Sequence, residues 1–390
     1  AAAPDSGALL RAWRPACAQP SGRRSWGWAI SSADHREDMS LIKEIGANGI
    51  RLAHYPHSDE FYTLCDREGM LVWAEIPLVG KALDTPEFTE NMKTELTELI
   101  RQNFNHPSIF CWSLCNELSK GDVKGLISEL NDVSHREDPG RLTVLAANVE
   151  KRPENSVPDI MAFNTYPGWY WAEPSEMKST LERWNRQCGN KGIAVSEYGA
   201  GANVWHHWQT GKKTPKADGV FHPEEWQATV HEQTYDAIKR SGFAWGSFVW
   251  NMFDFAADAR DQGGEPGMNH KGLVTFDRKT KKDSFYLYKA WWSEENFVHI
   301  CSKRFTDRTE REMEVKVYSN QKSVALYVNG EKAGEQTGEH VFSFRVPLTG
   351  EIEVRAVAGD CTDTASFRHV DTPNPSYKLV KTKSKSANWV

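Results

Sequence analysis

Two glutamates each close an apolar run, Glu117 in S-I-F-C-W-S-L-C-N-E and Glu197 in G-I-A-V-S-E-Y-G. An ionised carboxyl is costly inside a core, so a glutamate at the end of such a run points to a functional opening. Paired carboxylates about 5 to 5.5 Å apart hydrolyse a glycosidic bond with retention, one attacking the anomeric carbon and the other protonating the departing oxygen. Asn116, next to Glu117, suits a hydrogen bond to a ring hydroxyl. Arg51, at the end of another apolar run, suits an ion pair that holds one carboxylate charged. His54 has the opposite parity to Arg51, so both face one site only where their strand loses regularity.

Strand-like runs at 49–55, 71–76, 108–116, 142–148, 160–166, 193–198 and 244–252 must position these groups. Helical stretches separate them, among them Glu87 to Asn103 and Pro223 to Arg240, and a helix opens at Asp34 with Glu37 closing a capping box. Strand and helix alternate, no GxGxxG turn occurs, and polar residues gather at the C-terminal ends of the strands. The pattern predicts a TIM (β/α)8 barrel over 27–296, with an irregular segment at 1–26 from which the first strand must come. Counting that strand, Glu117 and Glu197 close strands four and seven, on opposite sides of the mouth.

From about residue 297 the period becomes two, with Asn329-Gly330 as a hairpin turn. This predicts a small all-β, immunoglobulin-like sandwich over 297–375 and a flexible Lys/Ser-rich tail over 376–390. The 390 residues carry 47 Lys+Arg against 53 Asp+Glu, a net charge of −6, which gives no basic footprint for nucleic acid. No run of eighteen apolar residues spans a membrane, and no signal peptide is readable, which points to a cytoplasmic protein. The seven cysteines form no CxxC pair, so zinc and redox motifs are lacking. His206 and His207, between Trp205 and Trp208, read as a loop edging the leaving-group side rather than a metal pair.

Four motifs in order, I-R-L-A-H-Y-P with F-Y-T-L-C-D-R-E-G, N-H-P-S-I-F-C-W-S-L-C-N-E, V-S-E-Y-G-A-G and W-N-M-F-D-F-A-A-D-A-R-D-Q-G, resemble the catalytic barrel of glycoside hydrolase family two, most of all its bacterial β-galactosidase branch. The likeness runs from about Gly27 to Trp292. It implies a retaining β-galactosidase acting on terminal β-D-galactosides, with Glu117 as acid/base and Glu197 as nucleophile. It also implies sugar contacts from Arg51, His54, Asn116, Tyr166, Trp250 and Asn269. A phenol such as Tyr166 suits a hydrogen bond to the nucleophile.

No cofactor or metal is expected, since A-E-I-P-L-V-G offers Glu75 without a nearby His. The expected partner is a carbohydrate, and a homo-oligomer is left open. The family's usual first-strand motif G-V-N-x-H is replaced by A-L-L-R-A-W-R-P-A-C, and the domains that usually precede the barrel are absent from this sequence. A distorted or open barrel with slow turnover is the expectation that follows. Asn269-His270-Lys271 supports an alternative, β-glucuronidase, because it resembles the N-x-K spacing that in those relatives reads the sugar carboxylate. A second alternative is a remnant that only binds carbohydrate.

Overall fold

The computed structural model describes residues 30–209 and 213–381. It opens on helix α1 (Ser32–Glu44), whose capping box lies three residues earlier than the sequence implies: Ser31 is the cap and Asp34 closes the box. Seven parallel strands follow, β1 (Gly49–Leu52), β2 (Leu71–Glu75), β3 (Ile109–Asn116), β4 (Leu142–Ala147), β5 (Ile160–Asn164), β6 (Ile193–Tyr198) and β7 (Ala244–Val249). Each pairs with the next in chain order, the signature of a sequential parallel β-α repeat. The connecting helices are α2 (Asp59–Glu68), α3 (Pro86–Asn103), α4 (Lys124–Glu137), α5 (Met177–Gln187) and α6 (Glu224–Arg240).

The sheet curls into a barrel filled by large side chains. Trp73 of β2 meets Phe248 of β7 edge-to-face at 5.4 Å and stacks near Trp245 at 6.4 Å, although the two strands lie five places apart in the sheet. A second apolar layer joins the strands' outer faces to the helices through Ile42, Leu96, Ile127, Leu181 and Phe285. Helix α7 (Asp283–Trp292) comes round beside α1. Arg278, just ahead of it, forms a buried bidentate pair with Asp38 of α1 at 2.9 and 3.0 Å, and Lys281 meets Glu44 at 2.6 Å. The segment Leu9 to Cys17, expected either to serve as a distorted first strand or to leave the barrel open, lies outside the described residues.

Beyond the barrel the chain builds two packed sheets. One contains β10 (Val298–Ile300), β12 (Glu312–Ser319) and β15 (His340–Pro347). The other contains β11 (Asp307–Arg308), β17 (Cys361–His369), β16 (Glu351–Ala358), β13 (Ser323–Val328) and β14 (Glu331–Thr337). Val317, Leu326, Phe342, Phe344, Val354 and Phe367 fill the space between them. Asn329 and Gly330 both hold positive φ, 50° and 87°, as the tight turn between β13 and β14 requires. A short two-stranded ribbon, β8 (Phe255–Ala256) with β9 (Met268–Asn269), sits in the loop after β7.

The described part of the C-terminal segment departs from the expected loose tail. Pro375–Lys378 forms a 3-10 turn, Tyr377 is buried, and residues 374–381 pack onto the loops after β6 and β7. Its polar composition hid this, because the segment is held by backbone and tip contacts rather than by an apolar stripe. No helix among the described residues is long and apolar enough to cross a membrane.

Candidate active site

Strand ends and the bulges that interrupt them assemble one polar cluster. The register shifts between Ser113 and Asn116 of β3, between Phe163 and Asn164 of β5, and between Val195 and Tyr198 of β6. Bulges of this kind re-aim side chains. Ser196 donates to Asn164 Oδ1 at 2.7 Å while its neighbour Glu197 faces Arg51, so adjacent residues both serve the cluster. Glu117, immediately past β3, holds the left-handed φ of 53°, a strained conformation for a residue with a side chain.

Arg51, fully buried, is the hub. It donates to both oxygens of Glu75 at 2.9 Å, to Glu197 Oε1 at 2.7 Å and to Asn116 Oδ1 at 2.8 Å. Burial alone would push the Glu75 carboxyl up, but Arg51 and the hydrogen bonds from His54 and Ser113 outweigh it and hold the group below the usual carboxylate range. β1 ends at Leu52, which frees His54 to place Nδ1 at 2.8 Å from Glu75 Oε1 and Nε2 at 3.7 Å from Glu197 Oε1. Its ring stacks on Trp250 at 5.0 Å.

The two glutamates differ in environment. Glu197 accepts from Arg51 and, at 2.6 Å, from the Tyr166 hydroxyl. Glu117 accepts a single described hydrogen bond, from Asn164 Nδ2 at 2.9 Å. Burial, then the charge of Glu197, raises the Glu117 carboxyl above its ordinary value. Burial and the Glu197 charge push the Tyr166 phenol up as well, so it stays a donor. A carboxyl raised by its surroundings beside a hydrogen-bonded carboxylate is the pairing that acid-assisted displacement at an acetal carbon uses.

One wall of the site carries a buried cation. Lys271 Nζ donates to Tyr170 Oη at 2.8 Å and lies 4.9 Å from the Tyr170 ring centre, 5.7 Å from Tyr166 and 5.8 Å from Trp169. Among the described residues no carboxylate forms an ion pair with it. Desolvation lowers its pKa. Burial would raise the Tyr170 phenol, yet Lys271 and Arg260 bring it below its usual value. Asn269, two residues earlier on β9, is buried, accepts from the Lys271 backbone N–H at 3.1 Å and, among the described residues, leaves Nδ2 without a partner. Gly272 fixes the approach of this segment, since a Cβ there would stand 1.9 Å from the Asp254 nitrogen.

A model of the family described as "glycosyl hydrolases family 2, TIM barrel domain" matches residues 22–296. The chain belongs to glycoside hydrolase family 2. A domain of unknown function matches residues 310–361. A β-glucuronidase of Bacteroides fragilis is 42% identical over 327 residues, covering 81% of this chain and 47% of that protein. An FMN-binding β-glucuronidase structure from Facaelibacterium prausnitzii L2-6 superposes with a TM-score of 0.89 at 38% identity, covering 94% of this chain and 57% of that one. A Bacteroides fragilis structure provisionally named a β-galactosidase gives 0.86 at 36% identity, with 91% and 54% covered. The chain thus spans about half the length of the curated relatives it matches.

This family 2 chain brings Arg51, His54, Asn116, Glu117, Tyr166, Glu197 and Trp250 together as the sequence reading groups them, with Asn269 joined through Lys271. Glu75, Asn164 and Tyr170 were missed as site members. The signal for the first two was present, since both end strands, but nothing in the sequence shows that Arg51 binds two carboxylates at once. His206 and His207 do not edge the site. Both are buried, one bonded to the Leu379 carbonyl and the other to Glu225. The single metal-type grouping among the described residues, Asp283 with His299 and Cys301, lies at the start of α7 and the adjoining sandwich strand, and Asp283 is already taken up by His299 and the Ser302 N–H.

Proposed function

We propose that this chain is the catalytic part of a retaining exo-β-glucuronidase. The observation that carries the reading is Lys271. A buried ammonium ordinarily has an anionic partner, and here its one described hydrogen bond goes to a phenol. A uronate carboxylate entering beside Tyr170 and the unused Asn269 amide supplies the missing charge, whereas the neutral C6 hydroxymethyl of a galactoside supplies none. The names of the relatives favour the same branch, against the galactosidase that the motifs favoured.

In the first step a Glu197 oxygen bonds to the anomeric carbon while the exocyclic C–O bond breaks and Glu117 gives its proton to the leaving oxygen. Arg51 and Tyr166 set the orientation of Glu197 for that attack. In the second step Glu117, now a carboxylate, takes a proton from water, the water oxygen bonds to the anomeric carbon, and Glu197 leaves. The net configuration is retained.

Side-by-side hydrolysis of 4-nitrophenyl β-D-glucuronide and β-D-galactoside tests the assignment. The glucuronide is expected to react at least about a hundredfold better in kcat/KM, and Lys271→Met to erase most of that preference. Faster galactoside turnover returns the galactosidase reading, and turnover of neither by the folded chain returns a binding-only remnant.

A further inference from the structure

The loop that carries Asn269 and Lys271 is held from outside the barrel. Residues 374–381 leave the sandwich and cross the loops after β6 and β7 as a strap. Gln209 Nε2 donates to the Asn374 carbonyl at 2.7 Å, the His207 N–H to Tyr377 O at 3.2 Å, and His206 Nε2 lies 2.7 Å from Leu379 O. Tyr377 is the anchor. It is buried, its hydroxyl accepts from the Asp307 N–H at 3.0 Å, and its ring meets those of Phe305 and His207 edge-on at 5.2 and 5.1 Å.

At its far end the strap grips the sugar-site loop itself. The Lys381 N–H donates to the Gly264 carbonyl at 2.7 Å, and its ammonium pairs with Glu265 at 2.6 Å. Glu265 in turn faces His270 Nε2 at 3.4 Å, and His270 lies between Asn269 and Lys271. Gly264 permits this packing, because a Cβ there would stand 2.8 Å from both the Leu379 oxygen and the His206 ring.

We propose that the strap 374–381 is a positioning element for recognition of the substrate carboxylate, holding Asn269 and Lys271 in place through Gly264, Glu265 and His270. The proposal rests on the glucuronidase reading for the ligand, but not for the mechanical coupling. None of the strap residues touches the reacting atoms, so their effect falls on binding of the uronate group rather than on bond cleavage. Loss of binding that is equal in ground and transition states raises KM and leaves kcat.

The test is the full chain carrying Tyr377→Ala with Lys381→Met, compared with Tyr377→Phe with Lys381→Arg, which keeps the ring and the charge. Folding is followed by circular dichroism, and two readouts are taken. Amide exchange over 263–271 is expected to quicken in the first variant and return toward the parent rate in the second. KM for 4-nitrophenyl β-D-glucuronide is expected to rise about tenfold with kcat within about twofold, while kcat/KM for the 4-nitrophenyl β-D-glucoside, which carries a neutral hydroxymethyl in place of the carboxylate, changes by less than about twofold. Unchanged exchange over 263–271, or equal losses on both substrates, overturns the proposal. A parent chain that ignores glucuronide overturns the functional reading instead, and the exchange result then still decides the coupling.

Discussion

At the scale of single residues, the asymmetry between Glu117 and Glu197 sets what each variant does. Glu197→Gln removes the proposed nucleophile but keeps shape, so turnover should fall at least about a thousandfold with the melting temperature nearly unchanged, and a 2-fluoro-glycosyl label should map to Glu197 in the parent. A label on Glu117 would reverse the roles. Glu117→Ala should slow substrates with poor leaving groups by about 10² to 10⁴ and good ones far less, with azide restoring turnover as a β-glycosyl azide. Because burial and the Glu197 charge raise Glu117, the alkaline limb of kcat/KM, where the acid loses its proton, should lie above the ordinary carboxylate range and disappear in Glu117→Ala. That both glutamates join one polar cluster was legible because a glutamate ending an apolar strand has few structural excuses. Lys271 was legible only as a spacing, since its lack of a carboxylate partner among the described residues is a fact of three dimensions.

At the scale of elements, the seven strands could be read within a few residues because each is an apolar run bounded by turns. β14 and β17 could not: E-K-A-G-E-Q-T and C-T-D-T-A-S-F-R-H bury at most one sparse face and owe their strand state to neighbours already paired. The bulges that turn Ser196 and Glu197 toward one cluster leave no compositional trace either. The loop 263–271 makes a pH-dependent contribution. Hydrogen bonding to His270 and the pair with Lys381 bring Glu265 down to about 2, against burial. A carboxyl depressed in the fold stabilises above its unfolded pKa and loses that contribution as pH falls toward the folded value. Glu265→Gln should therefore shift the urea midpoint at about pH 6.5 and progressively less toward about pH 3. A difference that stays constant over this range would mean that Glu265 acts by packing alone.

At the scale of the whole molecule, barrel and sandwich are joined through charges that neither could bury alone. Glu232 of α6 receives Lys316 at 2.7 Å and the Tyr318 hydroxyl from β12. Glu224, at the start of the same helix, accepts the Asp283 N–H at 2.8 Å and pairs with Arg304. Burial raises the Glu224 carboxyl, and the Arg304 guanidinium only partly offsets this. Removing the cation strands a buried carboxylate, which costs more than the pair itself contributes. Arg304→Met should therefore lower stability by about 3 to 5 kcal/mol at neutral pH, measured by urea unfolding followed through tryptophan fluorescence. The sign of its pH dependence is the discriminating part. Without Arg304 the Glu224 carboxyl rises further above its unfolded value, so the fold binds a proton that the unfolded chain releases, and the variant recovers stability as pH falls through that raised pKa. Adding Glu224→Gln should remove most of both the loss and its pH dependence. A loss in Arg304→Met that is indifferent to pH and to Glu224→Gln would place the joint between the domains in apolar packing, outside this ion pair.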